Sequence, residues 1–77
     1  MKILITGVAG LIGSNLAEYY KGKNFDVFGI DNLSGGYKSN IPEGIKYYNV
    51  SCEDRKSIFD IFKKNKFDYV AHCAAHA

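Results

Sequence analysis

Glycines stand at positions 7, 10 and 13, three residues apart, directly after the short apolar run Lys2–Thr6. This combination constrains the chain more than any other feature. An apolar run that ends at a glycine suits a strand buried on both faces. Ile12, Leu16, Tyr19 and Tyr20 then recur at the spacing of one helix face. That helix is expected to stop near Gly22, where a residue free to turn left-handed can close it. In such a unit Gly7 lets the chain turn off the strand, Gly10 lets backbone approach a phosphate, and Gly13 lets the helix pack tightly against the sheet. The helix start offers unpaired N–H groups and a positive dipole end to an anion. Three glycines alone also fit a tight turn with no ligand. The strand before them and the helix after them favour a cradle for the pyrophosphate of a dinucleotide. Uncharged Ser14 and Asn15 suit that cradle.

The rest of the chain continues the alternation. Asp26–Ile30 reads as a second strand, and residues 31–44, with turn formers and Pro42 but no helical period, read as one long loop. Loops of that length inside compact domains are usually functional. Residues 45–50 predict a third strand. Ser51-Cys52-Glu53-Asp54 resembles a capping box with Ser51 or Asp54 as the cap, and Ile58, Ile61 and Phe62 line a helix ending around Asn65. Residues 68–73 predict a fourth strand. Crossovers of this kind require parallel strands and right-handed connections. The expected fold is α/β: a partial Rossmann fold with a four-stranded parallel sheet in the order 3-2-1-4, one helix after strand 1 and one after strand 3.

Asp31 closes the second strand, 18 residues beyond Gly13. A carboxylate there can accept hydrogen bonds from both hydroxyls of an adenosine ribose, and it repels a 2′-phosphate. No Arg or Lys stands beside it, the next cation being Lys38. NAD is therefore expected over NADP.

Composition narrows the remaining classes. Seventy-seven residues make one small domain of marginal stability. A net charge of +2 with scattered lysines gives no basis for binding nucleic acid or an anionic membrane. Lys63 and Lys64 are adjacent at a helix end, where cations favour the dipole. No apolar run reaches transmembrane length, and the opening residues lack the apolar core of a signal peptide. Cys52 and Cys73 lack the spacing of a metal site or a redox pair and are expected to be buried free thiols. A cytoplasmic location follows from that reading.

Three segments resemble one family in order and spacing. Thr6-Gly7-Val8-Ala9-Gly10-Leu11-Ile12-Gly13-Ser14 is similar to the TGxxGxxGS opening of the extended short-chain dehydrogenase/reductases. Asp31-Asn32-Leu33-Ser34 resembles the DNLS segment of their nucleotide-sugar epimerase branch, the UDP-glucose 4-epimerase type. Residues 70–77 resemble the VxHLAAxA segment of the same enzymes. The resemblance implies that Gly7, Gly10, Leu11, Ile12 and Gly13 cradle the NAD pyrophosphate. It implies that Asp31 and Asn32 hold the adenosine ribose with Ser34 close by, and that Ala74 and Ala75 line the cofactor. His72 is implied to be structural.

Two departures stand out. Ser51 occupies the position where the family carries an Asp that contacts the adenine amine, so adenine recognition falls to Ser51, Cys52 and backbone groups. The family's acid/base pair is Tyr-x-x-x-Lys, with lysine lowering the tyrosine pKa. Here that spacing occurs once, from Tyr19 to Lys23, at the end of the first helix with Gly22 inside it. It carries no catalytic role. The resemblance therefore implies that residues 1–77 are the amino-terminal part of an NAD-binding Rossmann domain, lacking catalytic and sugar-binding parts and inactive alone. The complete enzyme would take a nucleotide-sugar and oxidise it transiently at C4. The alternatives are a dehydratase fragment and a free-standing or vestigial dinucleotide module. An open fourth-strand edge is expected to favour self-association.

Overall fold

The computed structural model describes residues 1–74. Its elements are β1 (Lys2–Thr6), α1 (Leu11–Gly22), β2 (Asp26–Ile30), a 3-10 turn at Lys38–Asn40, β3 (Lys46–Tyr48), α2 (Arg55–Lys64) and β4 (Tyr69–His72). The strands form one parallel sheet in the order β3-β2-β1-β4. This is the expected topology. In register, Thr6 lies opposite Ile30 on one side and His72 on the other, and Ile30 lies opposite Tyr48. All four strands therefore finish together along one edge.

Strand alternation distributes the core over two faces. Ile3, Ile5 and Val27 join Val8 and Ala17 on the α1 side, while Leu4, Phe28 and Ile30 join Ile61 on the α2 side. The β2–β3 connection has no crossover helix. Ile41 and Ile45 from that segment pack with the α1-side cluster and cover part of the sheet themselves.

Several boundaries differ from the sequence expectation. Of the expected α1 face, Leu16 and Tyr20 pack half-buried against the α1-side cluster, whereas Ile12 and Tyr19 are exposed and the fully buried positions are Gly13, Ser14 and Ala17. Small residues win there because the helix lies close to the turn it springs from. Gly22 stays helical, and Asn24 takes the left-handed conformation instead, at φ 64°. The Phe25 N–H reaches the Tyr20 carbonyl and the Asn24 N–H the Lys21 carbonyl, both at 3.1 Å. The Tyr20 and Phe25 rings meet at 4.9 Å, completing a Schellman closure with Asn in the usual Gly position. β3 is confined to Lys46–Tyr48 because the Val50 N–H turns back to the Tyr48 carbonyl at 3.0 Å and ends the pairing. Of the two candidate caps for α2, Asp54 is the cap. Its carboxylate accepts the Ser57 N–H at 3.2 Å and the Ser57 hydroxyl at 2.8 Å. Cys52 and Cys73 are free as expected but only half-buried.

Candidate functional site

A cleft of about 470 Å³ opens along the edge where the strands end. Open α/β sheets place ligands there, beyond the carboxyl ends of the strands and at the point where the strand order reverses. Its lining includes Gly7, Gly10, Leu11, Ile12 and Gly13 from the glycine turn and Asp31, Asn32 and Ser34 from the end of β2. Ser51 and Cys52 follow β3, and Ala74 follows β4. Parallel register brings these segments together, because each follows the last residue of its own strand. Ala75 lies outside the described residues, as does His76. Gly35, Val50, Glu53 and Cys73 also line the cleft and are not among the site residues expected from the sequence. Each is a chain neighbour of a residue that is, so the signal available was adjacency to a strand end.

The floor of the cleft requires glycine at two points. Gly7 has φ +69°, and a Cβ there would come within 2.7 Å of the Ala74 nitrogen. A Cβ on Gly13 would collide with the Gly7 carbonyl oxygen. The first helical turn thus presses onto the turn itself, rather than onto the sheet as the sequence suggested.

The two helix starts differ in a telling way. Asp54 caps α2, but the N-cap of α1 is Gly10, with no side-chain cap and no acidic residue in the first turn. The positive end of α1 and its leading N–H groups are left for an anion in the cleft. Leu11 and Ile12 flank it at 79% and 69% exposure, apolar surface awaiting cover. Ser14 and Asn15 lie outside the cleft lining. The Ser14 hydroxyl instead donates back to the Leu11 carbonyl at 3.2 Å.

Asp31 is half-buried, and both its oxygens are engaged. Oδ2 accepts the Ala9 N–H at 2.9 Å, and Oδ1 accepts the Leu33 N–H at 2.7 Å. Leu33 is held left-handed at φ 65°, a conformation that costs a non-glycine residue about 1–2 kcal/mol. The turn it makes leaves Asn32 and Ser34 in the cleft lining on either side. Burial, then the Asp31 charge, pushes up both the Tyr47 phenol and the Cys52 thiol. Cys52 therefore carries less thiolate at neutral pH than an unperturbed cysteine.

Thr6 fastens β1 to β4. Its hydroxyl lies 2.7 Å from His72 Nδ1 and accepts the Cys73 N–H at 3.1 Å. The His72 ring thus has a structural partner. Among the described residues no group of His, Cys, Asp and Glu could hold a metal ion, and no helix is long and apolar enough to cross a membrane.

A parallel α/β sheet with an uncapped glycine-bounded helix start facing a strand-end carboxylate defines the dinucleotide-binding class of protein. Within that class the assignment is specific. Residues 3–77 match the NAD dependent epimerase/dehydratase family, and the chain belongs to it. The chain is 33% identical to UDP-glucose 4-epimerase of Drosophila melanogaster, over 95% of this chain and 25% of that protein. It is 41% identical to dTDP-D-glucose 4,6-dehydratase of Dictyostelium discoideum, over 97% of this chain and 19% of that protein. Its fold superposes with a TM-score of 0.97 on UDP-glucose 4-epimerase of Thermotoga maritima crystallised with UDP-glucose, at 38% identity, covering all of this chain and 25% of that one. The NAD complex of the Thermus thermophilus epimerase gives a TM-score of 0.92 at 34% identity, covering all of this chain and 25% of that one. The chain thus spans about a quarter of the length of these relatives, and less of the dehydratase.

Proposed function

We propose that residues 1–77 are the NAD-binding portion of a cytoplasmic nucleotide-sugar epimerase. The observation that carries this reading is the α1 N-terminus, uncapped and without a first-turn acid, opening onto the same cleft as Asp31. The pyrophosphate is held by Gly7, Gly10, Leu11, Ile12 and Gly13, the adenosine ribose by Asp31 and Asn32 with Ser34, and the adenine near Ser51 and Cys52. Ala74 flanks the cofactor beyond β4. NAD supplies a reversible hydride acceptor when bound. This chain's own residues bind and orient it, and the Asp31 charge disfavours a 2′-phosphate. Support for the epimerase branch comes from the DNLS segment and from the superposition on UDP-glucose 4-epimerases.

Residues 1–77 alone are proposed to be inactive. The Tyr19 ring is 56% exposed on α1, and Lys23 Nζ sits 5.5 Å above it. Neither residue lines the cleft. Turnover of UDP-glucose or UDP-galactose by the chain with added NAD would overturn this. Calorimetric titration with NAD, NADP and ADP-ribose tests the cofactor assignment. NAD and ADP-ribose are expected to bind and NADP to bind at least about tenfold more weakly, a difference of ~1.4 kcal/mol. Equal affinity for NAD and NADP would contradict the role given to Asp31. A dehydratase is the second reading, favoured by the 41% identity to the Dictyostelium enzyme.

A further inference from the structure

The loop after β2 closes on the glycine turn around Ala9, which is fully buried. The Ala9 N–H donates to Asp31 Oδ2 at 2.9 Å. Its carbonyl accepts from Asn40 Nδ2 at 3.0 Å and from the Tyr37 N–H at 3.3 Å. Asp31 at the start of the loop and Tyr37 and Asn40 further along it therefore close on the same residue. Gly36 lies flat against it, since a Cβ there would collide with the Ala9 carbonyl oxygen and come within 2.9 Å of the Gly10 nitrogen. The Ala9 carbonyl and the Gly10 N–H share one planar peptide. Holding the carbonyl fixes the plane that carries this N–H, which donates to the Gly7 carbonyl at 3.0 Å just before α1 begins.

We propose that Asn40, which lies outside the cleft, is a positioning residue for the pyrophosphate cradle, acting through the Ala9–Gly10 peptide. A glycine-rich turn loses much backbone freedom when a ligand orders it, and ordering it beforehand strengthens binding. The proposal rests on the reading of the cleft as an NAD site. Its structural half is independent of that reading.

The test uses the full chain with Asn40→Ala and the near-isosteric Asn40→Asp, which keeps the shape and lacks the N–H donor. Amide exchange by NMR is expected to rise roughly 3- to 10-fold at Ala9 and Gly10 in both variants, while the β1 and β2 amides keep their protection. NAD affinity is expected to fall by a similar factor of roughly 3 to 10, with adenosine affinity unchanged because adenosine carries no pyrophosphate. Unchanged exchange at the turn overturns the proposal, as does loss of protection throughout the sheet. Faster exchange at the turn with unchanged NAD affinity also overturns it, and so does wild-type behaviour of Asn40→Asp. If the wild-type chain binds no NAD, the cofactor reading fails, and the exchange result alone decides whether Asn40 orders the turn.

Discussion

Asp31 holds the fold together and, in the proposed function, also takes the ribose with the same carboxylate. Its oxygens already accept the Ala9 and Leu33 N–H groups, and each retains a second lone pair for a ribose hydroxyl. Asp31→Asn should relax the preference for NAD over NADP by about tenfold. It should also lower the pKa of Cys52 and Tyr47, because a negative charge beside them disfavours thiolate and phenolate. The pH profile of Cys52 alkylation reads this directly. Its midpoint lies above the ordinary thiol value in the wild type and moves down in the variant, though not fully, since burial is the larger cause. Two glycines separate stability from binding. Gly13→Ala forces a methyl into the Gly7 backbone, which has no side chain to move aside, and should cost about 1–3 kcal/mol in thermal unfolding as well as NAD binding. Gly10→Ala meets only the Gly7 oxygen at 3.3 Å, in extended backbone, so its methyl should weaken NAD binding with little change in melting temperature. The glycine spacing and the acid at the end of β2 were legible in the sequence because each is a local requirement. The Asn40–Ala9 bond was not, because it joins residues 31 apart through a loop with no period.

Strand and helix identities were legible wherever periodicity and a terminator coincided, as in β1, β2 and α2. Legibility failed where one residue substitutes for another in a shared backbone role. Asn24 closes α1 where Gly22 was expected, and the small residues Gly13, Ser14 and Ala17 form its buried stripe where apolar bulk suggested Ile12 and Tyr19. The 3-10 turn at Lys38–Asn40 is too short to leave a period. At the level of elements, the Asp54 cap of α2 makes a pH-dependent contribution. The Ser57 hydroxyl and then the Ser57 N–H hold the Asp54 carboxyl below its ordinary value. Its folded pKa is thus lower than its unfolded one. The stabilisation is therefore present above the unfolded value, about 4, and is lost as pH falls through the folded value. Asp54→Ala should lower the melting temperature at pH 7, and the gap to wild type should close in acid. A gap of equal size at pH 7 and well below pH 3 would contradict the capping role.

Across the whole molecule, apolar surface lies uncovered on the α2 side. Val70 on β4 is 51% exposed and Phe62 on α2 is 41% exposed, and both border a depression whose other walls include Leu4 and Ile30. Among the described residues β4 pairs with β1 alone. Unpaired strand edges beside apolar surface promote association. Light scattering should show self-association that grows with concentration and is reduced by Val70→Lys, whereas a monomer at all concentrations would contradict it. Convergence of four strand ends on one cleft is the property on which the functional account depends. The most direct test follows the amide resonances of the full chain as NAD is added. Residues 10–13, 31–35 and 51–52 should shift together with a common affinity, while the exposed face of α2 stays still. No shift at millimolar NAD, or shifts confined to the α2 face, would contradict the assignment of this cleft to NAD.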